Sequence, residues 1–228
     1  MSKVICANCA EAGEPFAVHP SHPSVNPFRV VRDFEAALCA YTGAPYAVTV
    51  NSCTMALLLA CVWNRKEFEY VPDILEIPSV TYPSVPMSIR HAGYRVAWTQ
   101  GFWEGSYQLY PSPIRDCALR FTSGMYVPGQ VQCVSFHARK LLKIGSGGAI
   151  LHDDAAADAW YRKARFDGRT EGVPTAEDTY EMLGYHCYMF PEQAARGLHL
   201  LSYYPKHMPD QPKDAYPDLS RWPIFQTR

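Results

Sequence analysis

The sequence contains no long hydrophobic run and no excess of charge of either sign. None of its apolar stretches reaches the roughly 18 residues that a membrane-spanning helix needs. It has 21 lysines and arginines against 22 acidic residues, and this near balance gives no indication of a general nucleic-acid-binding or membrane surface. The first residues, MSKVICANCAEAGEPF, lack the apolar core of a signal peptide. We therefore expect a cytoplasmic protein without a membrane partner.

Length and hydrophobic content indicate one large folded unit. The chain has 228 residues, of which 48% are hydrophobic, enough for one α/β domain with a sizeable core. We expect its eight cysteines to stay reduced in the cytoplasm and to lie mostly in the core. Nineteen prolines, concentrated at both ends and in residues 72–113, predict many extended connections.

Four residues near the start of the chain have side chains that bind zinc: Cys6, Cys9, His19 and His22. Their spacing, Cys-x2-Cys-x9-His-x2-His, could hold a zinc ion tetrahedrally. The spacing is irregular for a zinc finger, however, and a proline after each histidine would break a helix that aligned the two rings. The alternative is a plain N-terminal arm over residues 1–25, which we favour, and we therefore predict no metal site.

The segment SFHARKLLKIGSGGAILHDD, residues 135–154, contains a lysine between two turn signals. An apolar run at 131–136 precedes Lys140, and a glycine-rich stretch and a second apolar run follow it. We interpret this as strand, lysine-bearing turn, glycine-rich turn and strand, because glycine lets the backbone reverse tightly. A lysine held among apolar groups can lose its proton, and a neutral amine can attack an aldehyde. The alternative is a solvated lysine, which we expect for Lys143.

This segment resembles the motif SFH-x-x-K-x-L-x-x-G-x-GG-A of the DegT/DnrJ/StrS aminotransferases, which carries their pyridoxal phosphate lysine. The resemblance implies that Lys140 forms a Schiff base with pyridoxal 5'-phosphate and carries protons in catalysis, and that Ser135 contacts the phosphate. These enzymes mostly transfer amino groups to keto groups of nucleotide-linked sugars. The matching positions are Ser135, Phe136, His137, Lys140, Leu142, Gly145, Gly147, Gly148 and Ala149.

Residues 46–62 predict an anion site made of a strand, a polar turn and a helix. The unpaired N–H groups and the dipole of a helix N-terminus suit a phosphate, although an ordinary N-cap is the alternative. The run AVTVNSCTMALLLA resembles the family's phosphate-binding A-V-x-V-x-SGT-x-AL-x-x-A. The resemblance implies phosphate contacts from Ser52, Cys53 and Thr54, with Cys53 standing where the family has glycine.

Two further positions complete the cofactor site that the resemblance implies. Residues 78–82, PSVTY, match P-x-x-TF, whose aromatic ring stacks on the cofactor, so Tyr82 inherits that role; a core tyrosine is the alternative. Asp116 resembles the aspartate of E-D-A-A-[QH], which pairs with the pyridinium nitrogen and makes the ring an electron sink. Arg115 replaces the usual glutamate of that motif, and Leu119 replaces a polar residue near the reacting centre.

The run GFWEGSYQLYPSP, residues 101–113, is shorter than the strand, loop and helix that the family usually has there. Parallel strands need a crossover of about a dozen residues or more. We therefore expect one neighbouring strand pair to be rearranged, with a stub strand near residues 108–110.

Residues 184–198 resemble G-Y-N-x-R-M-x-x-x-Q-AA-x-G-L, in which the asparagine reaches the cofactor phosphate of the partner subunit. His186 occupies that place, so the resemblance implies a homodimer with a phosphate contact from His186. After Leu201 we expect only a proline-rich stretch and not the family's small domain. The predicted division is an arm at 1–25, a cofactor-binding large domain at 26–202 and a tail at 203–228.

The resemblance implies an α/β fold with a mostly parallel sheet flanked by helices, the large domain of a fold-type-I pyridoxal phosphate enzyme in minimal form. The first functional hypothesis is an aminotransferase acting on a small amino donor and a keto sugar or similar carbonyl. The second is another pyridoxal phosphate reaction, such as decarboxylation of an amino-acid-like group on a modified nucleotide or nucleobase, the one case in which nucleic acid would be a partner. The third is a non-catalytic relic, which Lys140 and Asp116 argue against. Fold alone does not choose between the first two.

Overall fold

The structure, a computed structural model, describes residues 26–67 and 73–226. The helices are α1 (Arg29–Thr42), α2 (Cys53–Glu67), α3 (Ser84–His91), α4 (Ala155–Ala164) and α5 (Pro191–Ser202). The strands are β1 (Tyr46–Val50), β2 (Ile74–Pro78), β3 (Arg95–Thr99), β4 (Tyr107–Gln108), β5 (Ile114–Asp116), β6 (Val131–Ser135) and β7 (Gly148–His152). The residues considered for zinc, Cys6, Cys9, His19 and His22, lie outside the described part of the chain.

The seven strands form two hydrogen-bonded sheets. The larger sheet has the order β1-β7-β6-β5-β4, and the smaller one pairs β2 with β3. The pairs β5–β6 and β2–β3 are parallel, whereas β7 is antiparallel to both of its neighbours and β4 is antiparallel to β5. The predicted α/β class is confirmed, and the sheet is mixed rather than mostly parallel. β7 follows β6 through tight turns with no crossover helix, so it returns antiparallel.

The short segment before β5 joins the two sheets. Tyr110 exchanges two backbone hydrogen bonds with Glu76 of β2, of 2.8 and 3.1 Å. Directly before it, β4 runs antiparallel to β5 with Tyr107 opposite Asp116. The shortened connection therefore forms a hairpin in place of a crossover helix, and the hairpin brings Tyr107 to the end of β5.

The larger sheet separates two hydrophobic clusters. In β7 Ile150 packs into one cluster and Ala149 and Leu151 into the other, because successive side chains of a strand point to opposite faces. Residues of α2, α3 and α4 cover the first face, and residues of α1 and α5 cover the second. None of the helices in the described ranges combines the length and hydropathy of a membrane span.

A buried ion network fixes β1 and with it the turn that follows. Glu35 of α1 is 3% exposed and accepts hydrogen bonds from the backbone N–H and the hydroxyl of Thr49, both of 2.9 Å. Arg165, directly after α4, donates to the Glu35 carboxylate and to the Thr49 carbonyl. Arg162 adds a 2.7 Å hydrogen bond to the second carboxylate oxygen. Because unpaired buried charges are costly, the network specifies how α1, β1 and α4 meet.

Candidate active site

A cavity lies at the carboxyl ends of β5 and β6, beside the N-terminus of α2. Ligands bind at this end of the strands in open α/β sheets. The cavity brings together seven of the eight residues predicted to bind a cofactor. These are Ser52, Cys53, Thr54, Tyr82, Asp116, Ser135 and Lys140.

Lys140 is held in the cavity by the turn that leaves β6. Its backbone N–H donates to the His137 carbonyl over 2.9 Å, and its side chain is half-buried. Ala138 and Phe136 donate to carbonyls of Gly145 and Gly147, with lengths of 3.0 and 2.9 Å. The lysine turn and the glycine turn are thus hydrogen-bonded to each other, and the strand–turn–turn–strand prediction for this segment agrees with the structure.

The start of β7 approaches the N-terminus of α2 closely. A Cβ at Gly148 would lie 2.5 Å from the Cys53 nitrogen and 2.6 Å from the Ser52 carbonyl carbon, so no side chain has room there. The Ser146 hydroxyl also donates to the Asn51 carbonyl over 3.0 Å. These contacts place the lysine-bearing segment and the predicted phosphate turn side by side.

The N-terminus of α2 presents polar groups to the cavity. The Ser52 hydroxyl accepts a 3.2 Å hydrogen bond from the Met55 N–H, which is the N-cap alternative that the sequence left open. The capping bond occupies one of the orphan N–H groups of the first turn. Thr54 shares a 2.8 Å hydrogen bond with Ser84. Burial raises the pKa of the Cys53 thiol, whose Sγ lies 3.6 Å from the Cys133 carbonyl oxygen.

Asp116 is a buried carboxylate held by two donors. Its Oδ1 accepts from the Ala118 N–H and its Oδ2 from the Tyr107 hydroxyl, both over 2.9 Å. The Tyr107 oxygen lies 2.6 Å from Thr81 Oγ1, and since the single O–H of Tyr107 donates its hydrogen bond to Asp116, Thr81 donates in this pair. Burial raises the pKa of Asp116, while these donors and the charge of Lys140 act in the opposite direction.

Tyr82 presents its ring to the cavity and is half exposed, at 50%, which does not match the core tyrosine considered as the alternative. Its neighbour is Tyr216, whose ring centroid is 6.0 Å away at an interplanar angle of 71°. The ring of Tyr82 is therefore partly open to the cavity that Lys140 also lines.

His186 lies outside the cavity lining. Its side chain is 68% exposed, and its Nδ1 is 3.0 Å from the Asp167 carboxylate. Within one subunit the structure does not bring it to the other predicted site residues. Its predicted contact was with a partner subunit, and that contact stays a prediction.

The sequence did not identify four residues that line or support the site: Trp103, Tyr107, Arg139 and Tyr216. Tyr107 gave no signal, because no spacing rule predicts which side chain of a stub strand faces Asp116. Arg139 directly precedes the predicted lysine, so its position could have suggested it. Tyr216 comes from the segment after α5, far away in sequence, and only tertiary structure brings it to the site.

A comparison with models of known protein families identifies the family of this chain. The model of the DegT/DnrJ/EryC1/StrS aminotransferase family matches residues 19–119 and 121–215. The chain belongs to this family. Its membership confirms the resemblance inferred from the motifs around Lys140, Ser52, Tyr82 and Asp116. No curated protein sequence gave a significant match.

Solved structures of similar fold include a sugar aminotransferase. AtS13 from Actinomadura melliaura superposes with a TM-score of 0.65 at 20% identity, covering 77% of this chain and 60% of that one. The sugar aminotransferase CalS13 from Micromonospora echinospora gives 0.61 at 19% identity, with coverage of 77% and 60%. Helicobacter pylori PseC, an aminotransferase of pseudoaminic acid biosynthesis, gives 0.59 at 16% identity, with coverage of 79% and 63%. The fold-type-I α/β fold is confirmed, and the chain spans about 60% of the length of these structures.

Proposed function

We propose that the protein binds pyridoxal 5'-phosphate in this cavity and transfers an amino group between a small amino donor and a keto sugar or similar carbonyl compound. The observation that carries the proposal is the convergence of Lys140, Asp116 and Tyr82 with the polar N-terminus of α2. Membership of the aminotransferase family supports the reaction class, and the sugar aminotransferases among the similar structures support the substrate class.

The residues that line the cavity fit pyridoxal phosphate, and Asp116 is the most informative of them. It is 5% exposed, and it forms no direct ion pair with a lysine or arginine of the described residues, although the charge of Lys140 favours its ionised form. A buried carboxylate without a directly paired cation is costly. A protonated pyridine nitrogen would be such a partner, and the Tyr107 and Ala118 hydrogen bonds would keep the carboxylate aimed at it.

When bound, pyridoxal phosphate supplies an electrophilic aldehyde and a ring that accepts an electron pair. Lys140 is the amine that would bind the aldehyde carbon, and its Nζ would then move the proton at the substrate carbon. Tyr82 would pack against the ring and limit its tilt. Asp116 would hold a proton on the ring nitrogen, so that the ring keeps its electron demand.

The phosphate would lie at the N-terminus of α2, where the helix dipole and orphan N–H groups favour an anion. Ser52, Thr54 and Ser135 line this end of the cavity with hydroxyls. Cys53, at the first position of the helix, would contribute its backbone N–H. Its thiol already contacts the Cys133 carbonyl and points into protein.

Borohydride reduction tests the role of Lys140. Reduction of the cofactor-loaded protein, digestion and peptide mass spectrometry should place the pyridoxyl group on Lys140. A label on Lys143, or a loaded protein without any label, would refute the assignment.

Absorbance spectroscopy tests the reaction type. The purified protein is mixed with candidate amino compounds, and the cofactor spectrum is followed. Amino transfer leaves the cofactor in its pyridoxamine form, and this is the expected result. Release of carbon dioxide with return of the starting spectrum would instead establish decarboxylation.

We further propose that the protein is a homodimer in which His186 reaches the site of the partner subunit. The surroundings of His186 support an interface, because Tyr180, Leu183 and Phe190 are large apolar side chains with exposures of 52%, 95% and 50%. Exposed apolar patches of this kind commonly mark protein contacts. Twofold symmetry would supply the contact to both sites.

We also place the protein in the cytoplasm and retain the division into residues 1–25, 26–202 and 203–228. All six cysteines of the described ranges are free thiols, which is typical of a reducing compartment. Cell fractionation tests the location, and limited proteolysis tests whether cleavage concentrates at the two proposed boundaries.

A further inference from the structure

The segment that follows α5 is attached to the domain on one side of the cavity. Arg120 Nε donates to the Asp210 carboxylate with a length of 2.9 Å, and the Gln211 N–H donates to the Leu119 carbonyl with a length of 2.8 Å. Leu119 lines the cavity. Gly105 makes room for this attachment, since a Cβ there would overlap the Asp210 carboxylate. The segment thus begins its path at the end of β5, next to Asp116.

The same segment is attached to the domain a second time, on the opposite side of the cavity. The Leu219 N–H donates to the Ser79 carbonyl over 2.8 Å, and Asp218 pairs with Val80 in a β-bridge. Leu219 is 2% exposed, so this attachment has an apolar anchor as well. Ser79 and Val80 immediately precede the segment that carries Thr81 and Tyr82. Residues 210–219 therefore pass from the end of β5 to the end of β2, and we call them the strap.

The middle of the strap contributes Tyr216 to the cavity wall. Its ring is edge-on to the ring of Tyr82, and it lines the same cavity as Lys140 and Asp116. Burial, with the nearby charge of Asp214, raises the pKa of Tyr216 to about 12, so the hydroxyl is protonated at neutral pH. Lys213 also belongs to the strap, and its Nζ is 5.8 Å from the centroid of the Trp103 ring. Trp103 is another residue that lines the cavity.

We propose that the strap is the outer wall of the cofactor site and that Tyr216 is a positioning residue, which holds the ring of Tyr82 against the bound cofactor and excludes water. The proposal rests on the proposed function for the identity of the cofactor. The shape of the wall does not depend on it. An edge-to-face contact fixes the tilt of the second ring, and the bulk of Tyr216 covers the part of the cavity that faces Tyr82. Water exclusion strengthens the electrostatic contacts inside a site.

The first measurement uses the cofactor-free protein. Lys140 lies in the cavity, and Lys143, an exposed lysine outside it, serves as the internal reference. The rate of acetylation of both side-chain amines by N-hydroxysuccinimidyl acetate is followed by peptide mass spectrometry. Tyr216→Ala should raise the ratio of the Lys140 to the Lys143 rate several-fold. Tyr216→Phe keeps the ring and should leave the ratio unchanged, as should Tyr203→Ala, which removes an exposed ring away from the cavity.

A second variant tests the strap independently, in case Tyr216→Ala does not fold. Asp210→Ala removes the anchor to Arg120 without touching the cavity, and it should also raise the ratio of the Lys140 to the Lys143 rate. Circular dichroism verifies that each variant is folded. An unchanged ratio in both folded variants would overturn the strap as a wall.

The second measurement uses the protein loaded with pyridoxal phosphate. After dilution into cofactor-free buffer, loss of the cofactor absorbance should be several-fold faster for Tyr216→Ala than for the wild type, and unchanged for Tyr216→Phe. Equal rates for all three proteins would overturn the positioning role. Failure of the wild type to bind the cofactor would refute the proposed function, and the ratio of the Lys140 to the Lys143 rate would then decide on the strap alone.

Discussion

At the scale of the residue, the site depends on one buried carboxylate. Asp116 accepts two hydrogen bonds that an asparagine could largely reproduce, because its amide oxygen can accept from Ala118 and its NH2 group can donate to the Tyr107 oxygen. An amide carries no charge, however, and cannot hold a proton on the cofactor nitrogen.

We therefore predict that Asp116→Asn lowers the turnover number by about 100-fold or more while leaving the thermal midpoint of unfolding nearly unchanged. Steady-state kinetics and differential scanning calorimetry measure the two quantities. Asp33→Asn, an exposed change on α1, is the control for charge alone. Wild-type turnover in Asp116→Asn would exclude Asp116 as the partner of the ring nitrogen.

Tyr107 is one of the four site residues that the sequence did not identify. Its hydroxyl links Thr81 to Asp116, and all three side chains are buried. Removing the hydroxyl leaves one carboxylate oxygen without a donor and the Thr81 hydroxyl without an acceptor.

Tyr107→Phe should therefore lower the free energy of unfolding by about 1–3 kcal/mol. It should also raise the dissociation constant of the cofactor, because Asp116 loses a group that stabilises its charged form. Urea denaturation and cofactor titration are the measurements. Tyr110→Phe, which changes a tyrosine that is 58% exposed, should alter neither quantity.

At the scale of the element, α1, β1 and α4 meet at the Glu35 network. Arg165 is 1% exposed and has Glu35 and Glu171 as its acidic partners. Glu35→Ala leaves a buried guanidinium with one partner fewer, so we predict a loss of about 3–5 kcal/mol in the free energy of unfolding.

Asp73→Ala is the matched comparison, since it breaks an ion pair with Arg65 whose side chains are 41% and 65% exposed. That loss should stay below about 1 kcal/mol. Urea titration of both variants gives the comparison. Similar losses for the two would show that the buried network does not fix β1.

Several elements could be predicted from local signals. A strand, a polar turn and a helix were predicted within residues 46–62, and the structure has β1 and the start of α2 there. The lysine turn was also predicted, because glycines mark it. The mixed direction of the sheet was not predicted, since it depends on how β7 and β4 return, and residue periodicity does not encode strand direction.

At the scale of the whole molecule, the site residues that lie within one contiguous motif could be predicted from the sequence. The residues that reach the site from distant segments could not. Ser52, Asp116 and Lys140 each lie in a contiguous motif and converge as predicted. Tyr216 and Tyr107 reach the site only through the strap and the hairpin. The role of each residue stays a prediction until cofactor binding is measured.

The predicted dimer belongs to this scale too. Light scattering of the cofactor-loaded protein should give twice the mass of the chain. Leu183→Glu should shift it towards the monomer, because a charge would replace a side chain that is 95% exposed in the subunit. Ile224→Glu, an exposed apolar position elsewhere, is the control.

Mixing of variants tests the shared site. Lys140→Ala and His186→Ala subunits should each be weakly active alone and should regain activity when mixed, because one site of the heterodimer has both side chains. A fully active monomer, or undiminished cofactor affinity in His186→Ala, would contradict the contact between subunits.

The close approach of Gly148 to α2 has a consequence for mutational tolerance. Gly148 does not have a left-handed φ, so glycine is required there by the Cys53 backbone against it and not by its dihedral angle. Gly129 is the opposite case, with a φ of 78° and open space where a Cβ would lie. In a saturation library selected for cofactor binding, position 129 should therefore accept asparagine and aspartate, which tolerate left-handed backbone, whereas position 148 should accept glycine alone.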